Sequence, residues 1–393
     1  MLSPLFVRIA LALAIVVLTA FFVGGAPGGG AGPVPPASAS TARNPAAPAE
    51  PASVVIGASG EILPHAPVIR SAHQLAGNRS GAYDFAPLFA EVAPLLSAPQ
   101  LSLCHLEAPI SDDPLDIDRP AGMVFNSPPQ LAAALAGAGF DGCEFASNHT
   151  LDQGMSGLRD TQAVVEGAGM TYAGPSADAA RSGQPAMLRA GDLTIAHLAY
   201  SYTAFNDSTE PNARVPEAAP WLSGTLWAAV GAAGIAGDAE RAREAGADLV
   251  VVSLHWGVEY QAEPTGDQRE VARELLEAGA VDLILGTHAH VVQPCEKIND
   301  RYVLYGMGNF LSNQSPSAGL PVPTQDGMIA QVTLALDADG ALTSSLAVQP
   351  AQVQIPGHRI QLATPQRNAA SYQRTMDTLG SLGTCDVTSL AAA

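Results

Sequence analysis

Along this chain, short apolar runs alternate with stretches in which apolar residues recur every three or four positions. "SVVIGAS" reads as a strand, and after a long loop "DFAPLFAEVAPLLS" has the spacing of a helix. "QLSLCHLE" is a second strand, "PPQLAAALAGAG" a helix opened by proline, "FDGCEFASN" a third strand and "SGLRDTQAVVEGAG" a helix that stops at glycine. "LTIAHLAYS" and "DLVVVSLHW" follow as strands, the second preceded by the helical "DAERAREAGA". "TGDQREVARELLEAGA" is an amphipathic helix that leads into the strand "VDLILG". Strands and helices alternating at this length predict an α/β layered domain.

The pattern then changes. "RYVLYGMGNFLS" and "DGMIAQVTLALDADGALTSSLAVQPAQVQI" read as consecutive strands joined by turns such as "DADG", which predicts an antiparallel sheet closing one side of the core. From Thr364 onward, alanine, serine and threonine dominate, and a peripheral helix with a frayed end is expected. The proline-rich stretch "YTAFNDSTEPNARVPEAAPWLS", residues 202–223, has the length of a loop that covers a site.

Before the first strand, residues 1–25 carry one arginine, Arg8, and then an apolar run from Ile9 to Val23 broken only by Thr19. That pattern predicts export, with the segment either cleaved as a signal peptide or kept as a membrane anchor. Residues 26–52 lack apolar periodicity and read as a Pro/Ala/Gly-rich linker. The expected organisation is therefore leader, linker, a domain over 53–355 and a tail over 356–393. An exported chain can oxidise its cysteines, and the four here, Cys104, Cys143, Cys295 and Cys385, permit two disulfides. Pairing Cys104 with Cys143 would join two early strands, and Cys295 with Cys385 would pin the tail. Three pairings exist, and buried free thiols are an equal alternative for the first two cysteines. The net charge of −19, from 37 acidic and 18 basic residues, argues against nucleic acid and anionic lipid as partners.

Candidate chemistry collects at strand ends. Glu61 follows the first strand in "GEILPH", with His65 four residues on, and Glu107 ends the second in "CHLEAPI". Asn148 and His149 end the third in "SNHTLDQG"; His255 ends another in "LHWGVEY", and His288 and His290 the next in "LGTHAHVVQP". Ligands in open α/β sheets bind at the carboxyl ends of strands, so these side chains point to one site. Singly, each is a common turn or core residue; together they make a metal site the better reading. Oxygen donors from Glu61, Glu107 and Asn148 mixed with imidazoles from His255, His288 and His290 suit two divalent ions, Mn, Fe or Zn rather than Ca. Glu107 is the candidate bridge between them. His149 could protonate a leaving group, with Asp152 orienting it.

These motifs, together with "LYGMGNF", resemble those of the CapA capsule-synthesis family, linked to poly-γ-glutamate capsule biosynthesis, and span roughly residues 54–313. The resemblance implies a fold like that of calcineurin-type metallophosphoesterases, a four-layer α/β sandwich of two mixed β-sheets flanked by helices. Asn148, His255, His288 and His290 match that pattern's metal positions, and Glu107 matches the glutamate of the CapA pattern. Glu61 departs from it, because relatives generally carry aspartate there. The extra methylene implies a displaced or weakened first metal position, and on that ground Glu61→Asp would raise metal affinity. His65 is spaced four residues from Glu61 where phosphoesterases have two, so it is not carried over as a ligand.

The expected function is therefore a CapA-type extracytoplasmic protein, secreted or membrane-anchored, acting in synthesis or export of an extracellular polymer with a metal-dependent hydrolase-type site. Membrane capsule-synthesis proteins are its expected partners. The alternatives are an extracytoplasmic metallophosphoesterase for small phosphoesters, or a non-catalytic scaffold of the capsule machinery.

Overall fold

Apolar runs flanked by turn residues become fifteen strands among the described residues of the computed structural model, which are 52–111 and 123–390. The expected leader and linker lie outside these residues. The strands are β1 (Ala52–Ile62), β2 (Leu101–Leu106), β3 (Gly142–Glu144), β4 (Thr171–Ala173), β5 (Ala186–Ala190), β6 (Leu193–Ser201), β7 (Leu249–His255) and β8 (Leu283–Thr287). They continue as β9 (Cys295–Ile298), β10 (Arg301–Leu304), β11 (Asn309–Leu311), β12 (Asp326–Leu336), β13 (Leu342–Gln354), β14 (Arg359–Leu362) and β15 (Val387–Ser389). One sheet runs β14-β13-β12-β1-β2-β3-β4, with β11 against β1 and β15 against β13; the other runs β5-β6-β7-β8-β10-β9. Both are mixed: β1 to β4 pair in parallel while β12 joins β1 antiparallel, and β6, β7, β8 and β10 are parallel between antiparallel edge strands.

Alternating side chains divide the apolar residues into three layers of core. Val54, Ile56 and Ala58 of β1 face Leu249 and Val251 of β7 and Leu283 and Leu285 of β8 between the sheets. Val250, Val252 and Leu254 of β7 point the other way, onto Ile235 and Ala239 of helix Trp227–Glu244 and Leu275 and Leu276 of helix Gly266–Glu277. The first sheet's outer face packs on Val68, Leu131, Leu135, Leu158 and Val165, from helices Ala66–Leu75, Gln130–Ala138 and Gly154–Gly167. Strands buried on both faces read as continuous apolar runs, which is why "LVVV" shows no polar alternation. The result is a four-layer α/β sandwich of two mixed sheets flanked by helices.

Three expectations are corrected. "DFAPLFAEVAPLLS" forms two short turns, Ala86–Phe89 and Ala93–Leu96, because Pro94 has no N–H to donate and its ring clashes with the preceding turn. The late antiparallel strands are not a separate sheet; β12 and β13 extend the first sheet from β1. "RYVLYGMGNFLS" is not one strand either. β10 belongs to the second sheet and β11 to the first, and the chain crosses between them at residues 305–308.

That crossing staples the two sheets at the end where the ligands collect. Only glycine allows it: a Cβ on Gly60 would lie 2.1 Å from the Gly308 carbonyl oxygen, and one on Gly286 would lie 2.0 Å from that of Tyr305. After β14, helix Ala369–Leu379 and β15 return the chain to the first sheet. Disulfides join Cys104 to Cys143, facing residues of β2 and β3, and Cys295 to Cys385, with Cα–Cα distances of 4.5 and 5.5 Å. The second closes a span of 90 residues and, with the Tyr302 hydroxyl donating to the Asp386 carbonyl (2.9 Å), holds the chain's last part to the second sheet. Replacing Cys385 by serine is expected to lower stability by about 2–4 kcal/mol through the freed unfolded chain. Urea denaturation of the oxidised protein measures this, and an unchanged midpoint would mean that packing alone holds the segment.

Candidate metal centre

The carboxyl ends of both sheets meet at one buried point. β1 brings Glu61, at a register shift against β2 and β11 that re-aims its side chain. Glu107 lies one residue past β2, Asn148 four past β3, His255 at the last residue of β7, and His288 and His290 just past β8. All six are at most 2% exposed. Glu61 thus lies inside its strand rather than after it, because pairing with β11 prolongs β1.

Donor atoms of Glu107, His255 and His288 lie within 4.8 Å of one another, and so do those of Glu61, Glu107 and His290. Glu107 is common to both groups. The Asn148 amide oxygen sits 2.9 Å from His255 Nε2 and joins the first, while its amide nitrogen donates to Asn206 (3.0 Å) in the loop after β6. Both Glu107 carboxylate oxygens and His288 Nδ1 are buried and have no hydrogen-bond partner among the described residues. Buried polar atoms without partners are costly and call for one. A divalent cation is the ligand that two oxygens and an imidazole nitrogen fit.

The centre's electrostatics follow from burial. Desolvation pushes the Glu107 carboxyl up to about 8, against the pull of the His290 charge. Burial opposes a charge on His290 as well, yet the Glu61 and Glu107 carboxylates outweigh it and hold that imidazole up at about 10. Glu61 is held below the usual carboxylate range, because the His290 charge and its hydrogen bond outweigh desolvation. His288, desolvated and facing the His290 charge, falls to about 3, and desolvation likewise holds His255 well down. A protonated His290 thus sits between the Glu61 carboxylate and a Glu107 that burial keeps protonated, with the neutral imidazoles of His255 and His288 beside them.

His149 and Asp152 form a separate pair. His149 Nδ1 and Asp152 Oδ2 are 2.8 Å apart, and the same oxygen accepts the Phe125 N–H (2.6 Å). The His149 ring packs edge-on against Phe125 at 4.6 Å. A carboxylate on Nδ1 fixes the tautomer and leaves Nε2 for proton transfer. His65 belongs to neither donor group. Its Nδ1 bonds the Leu63 carbonyl (2.9 Å), its ring lies against Phe125, and burial lowers it to about 4.

A cleft of about 640 Å³ reaches His288, walled by Tyr202, Asn206, Asp207, Glu259 and Tyr260. Tyr202 lies over His288 with ring centroids 4.4 Å apart, so the proline-rich loop does stand over the centre.

A family model described as bacterial capsule synthesis protein PGA_cap matches residues 55–314, which hold every donor described above. The chain belongs to this family. Capsule biosynthesis protein CapA of Bacillus anthracis is 26% identical over 249 residues, 63% of this chain and 56% of that protein. PGA biosynthesis protein CapA of Bacillus subtilis is 47% identical over 68 residues, 17% of this chain and 18% of that one. A probable polyglutamine synthesis accessory protein of Mycobacterium tuberculosis is 26% identical over 271 residues, 68% of this chain and 69% of that one. The match thus spans about half the length of the Bacillus anthracis relative and a fifth or less of the Bacillus subtilis one. Among solved structures, calcineurin-like phosphoesterase YfkN of Bacillus subtilis superposes with a TM-score of 0.42 at 12% identity, covering 83% of this chain and 98% of that one. The Thermus thermophilus sulfate thiohydrolase SoxB gives 0.38 at 14%, covering 78% and 49%.

Within this PGA_cap chain, several residues of the centre had no role in the sequence reading. His105 pairs with the buried Glu144 through Nδ1, and its ring stacks on His255 at 4.9 Å. Its signal was period-two spacing from Glu107 on β2. Asn309, from the motif "LYGMGNF", donates through Nδ2 to the His290 carbonyl (3.3 Å) and the Thr324 carbonyl (2.8 Å), while its Oδ1 is 3.2 Å from His290 Nδ1.

The charge state of the metal-free centre has a measurable consequence. A raised Glu107 stabilises the fold below the unfolded value of 4.5 and loses that contribution as pH rises to about 8. His290 behaves alike between 6.5 and about 10. Metal ligation needs both groups deprotonated. Zinc uptake at pH 7 is therefore expected to release protons, with affinity rising as pH climbs towards 8. Titration calorimetry in buffers of different ionisation enthalpy reads this, and identical heats across buffers would contradict it.

Proposed function

We propose that this protein acts in the synthesis or export of an extracellular poly-glutamate-type polymer, with a binuclear metal centre that cleaves or transfers at a phosphoester or amide. The observation that carries the reading is Glu107, buried, without a hydrogen bond to either oxygen among the described residues and shared by two donor groups inside the segment that matches the capsule-synthesis family. Glu107, Asn148, His255 and His288 would hold one ion, and Glu107 and His290, with Glu61 beside them, the other. Mn, Fe or Zn suit this mixture of oxygen and imidazole donors. Such ions supply a nucleophilic hydroxide at neutral pH and stabilise charge on attacking and leaving oxygens.

The chain's own residues do the rest. Asp152 accepts from His149 Nδ1–H, so that a doubly protonated His149 can deliver its Nε2 proton to the departing oxygen or nitrogen. Tyr202 and Asn206 of the covering loop line the cleft beside His288 and would narrow the approach of water and substrate. Placement outside the cytoplasm is supported by the apolar segment before residue 25 and by the two disulfides. Membrane proteins of the capsule machinery are the partners that such an anchored or secreted protein would meet. A second reading, hydrolysis of small phosphoesters, is favoured by the cleft itself, whose volume is that of a small-molecule site.

Purified protein is expected to contain metal and to turn over a generic phosphoester or a γ-glutamyl amide. His149→Ala should lower kcat by roughly 10²–10⁴-fold while leaving metal content unchanged. Elemental analysis and steady-state rates measure both. A folded protein with neither metal nor turnover would instead support a scaffold that keeps the fold and recruits the capsule machinery.

A further inference from the structure

Residues 288–290 leave β8 in an unusual backbone conformation. His288 has φ 91° and His290 has φ 55°, both in the left-handed region that side chains other than glycine rarely adopt. Such a segment persists only when its surroundings determine it. The Ala289 carbonyl accepts the Tyr260 N–H (2.7 Å), and the His290 carbonyl accepts Asn309 Nδ2 (3.3 Å). The two histidine N–H groups have one acceptor between them. Glu61 Oε1 lies 2.7 Å from the His288 nitrogen and 3.4 Å from the His290 nitrogen. Glu61 Oε2 faces His290 Nδ1. That contact turns His290 Nε2, 3.5 Å from Glu107, towards the shared donor group.

We propose that Glu61 is a positioning residue whose carboxylate clamps the backbone of residues 288–290 and orients the ring of His290, and that this task requires the length of glutamate. An aspartate at this position falls short by one methylene, about 1.5 Å. Its oxygen would leave the His288 N–H beyond hydrogen-bonding distance, in a place that excludes water. The extra methylene is therefore used rather than tolerated. β1 cannot slide forward to compensate, because the Glu61 N–H is bonded to the Gly308 carbonyl (2.8 Å) and Gly60 is in contact with the same peptide. The expectation drawn from relatives, that Glu61→Asp improves the centre, is reversed.

The test uses the full chain, first without metal. Glu61→Asp is expected to speed hydrogen exchange across residues 285–294 by about ten-fold or more, the effect of losing one hydrogen bond to a charged acceptor. Helix Trp227–Glu244 should keep its protection, which shows that the variant is folded. Glu61→Gln retains both the reach and an accepting oxygen, and should keep the loop near wild-type protection. Zinc titrated alone should bind Glu61→Asp roughly 10–100-fold more weakly, as for loss of a residue that orients a ligand. Unchanged loop exchange in Glu61→Asp, or tighter zinc binding, would overturn the proposal. Equal loss of protection in both variants would also overturn it, since charge rather than reach would then hold the loop. The exchange arm is read in metal-free protein, so it stands or falls separately from the hydrolase reading.

Discussion

Two carboxylates, Glu61 and Glu107, are buried side by side where water cannot reach them, and the rest of the centre answers to that constraint. Like charges in a desolvated site cannot both persist without a cation between them. In the metal-free protein, His290 is that cation and Glu107 keeps its proton. Burial thus makes ionising Glu107 unfavourable even beside the His290 charge. A divalent ion removes the conflict outright. The site therefore concentrates like charge that protons on Glu107 and His290 offset in the metal-free protein and that a divalent cation would offset in their place.

Holding such a conflict requires a frame that does not relax. The two sheets converge at the site end through the crossing at residues 305–308, and Gly60 and Gly286 allow the backbones to touch there. That contact places β1, β8 and β11 within one hydrogen-bonded cluster, which includes Asn309 and the backbone around His290. Two left-handed histidines cost roughly 1–2 kcal/mol each, and the surrounding hydrogen bonds are of the size needed to offset that cost. Beneath the donors, the pair of His105 and Glu144 fills the space under His255, with His105 Nδ1 against the Glu144 carboxylate. Placement of the donors thus depends on the long-range closure of the sandwich, not on any single loop.

That dependence explains what could be read from the chain in advance. Strand ends bearing Glu107, Asn148, His255, His288 and His290 were visible because each follows an apolar run, and runs of that kind are local. The alternation of strands and helices was local too, and so was the capping box at Thr265 that starts helix Gly266–Glu277. The extension of β1 through Glu61 was not visible, since it comes from pairing with β11, some 250 residues away. Nor was the switch of β10 and β11 between sheets, because both are apolar enough for either interior. Pro94 is a helix breaker inside an otherwise helical period, and it divides the segment that the period predicts as one helix. His105 looked like a core residue of β2, and only the register that sets it against Glu144 gives it a second role.

The net charge of −19 and the character of the centre act on different length scales. At physiological salt, exposed charges are screened beyond about 8–10 Å, so the acidic surface slows the approach of a polyanion without deciding what binds. Inside the cleft, screening is weak and the protein's fixed charges decide. Asp207 on its wall is neutralised by a two-pronged contact from Arg214 (3.0 and 2.8 Å), while Tyr202 and Tyr260 present neutral rings, both held in the protonated phenol form by burial. Glu259 adds a negative charge near the centre, which is felt at Glu107 and His290. A group entering the cleft thus passes neutral and acidic walls before it meets the buried donor residues. That order favours a group whose negative charge is concentrated at the reacting atoms and whose flanks are neutral or hydrogen-bonding. A densely anionic segment would meet the Glu259 charge on its way in, so the cleft's own field opposes its entry.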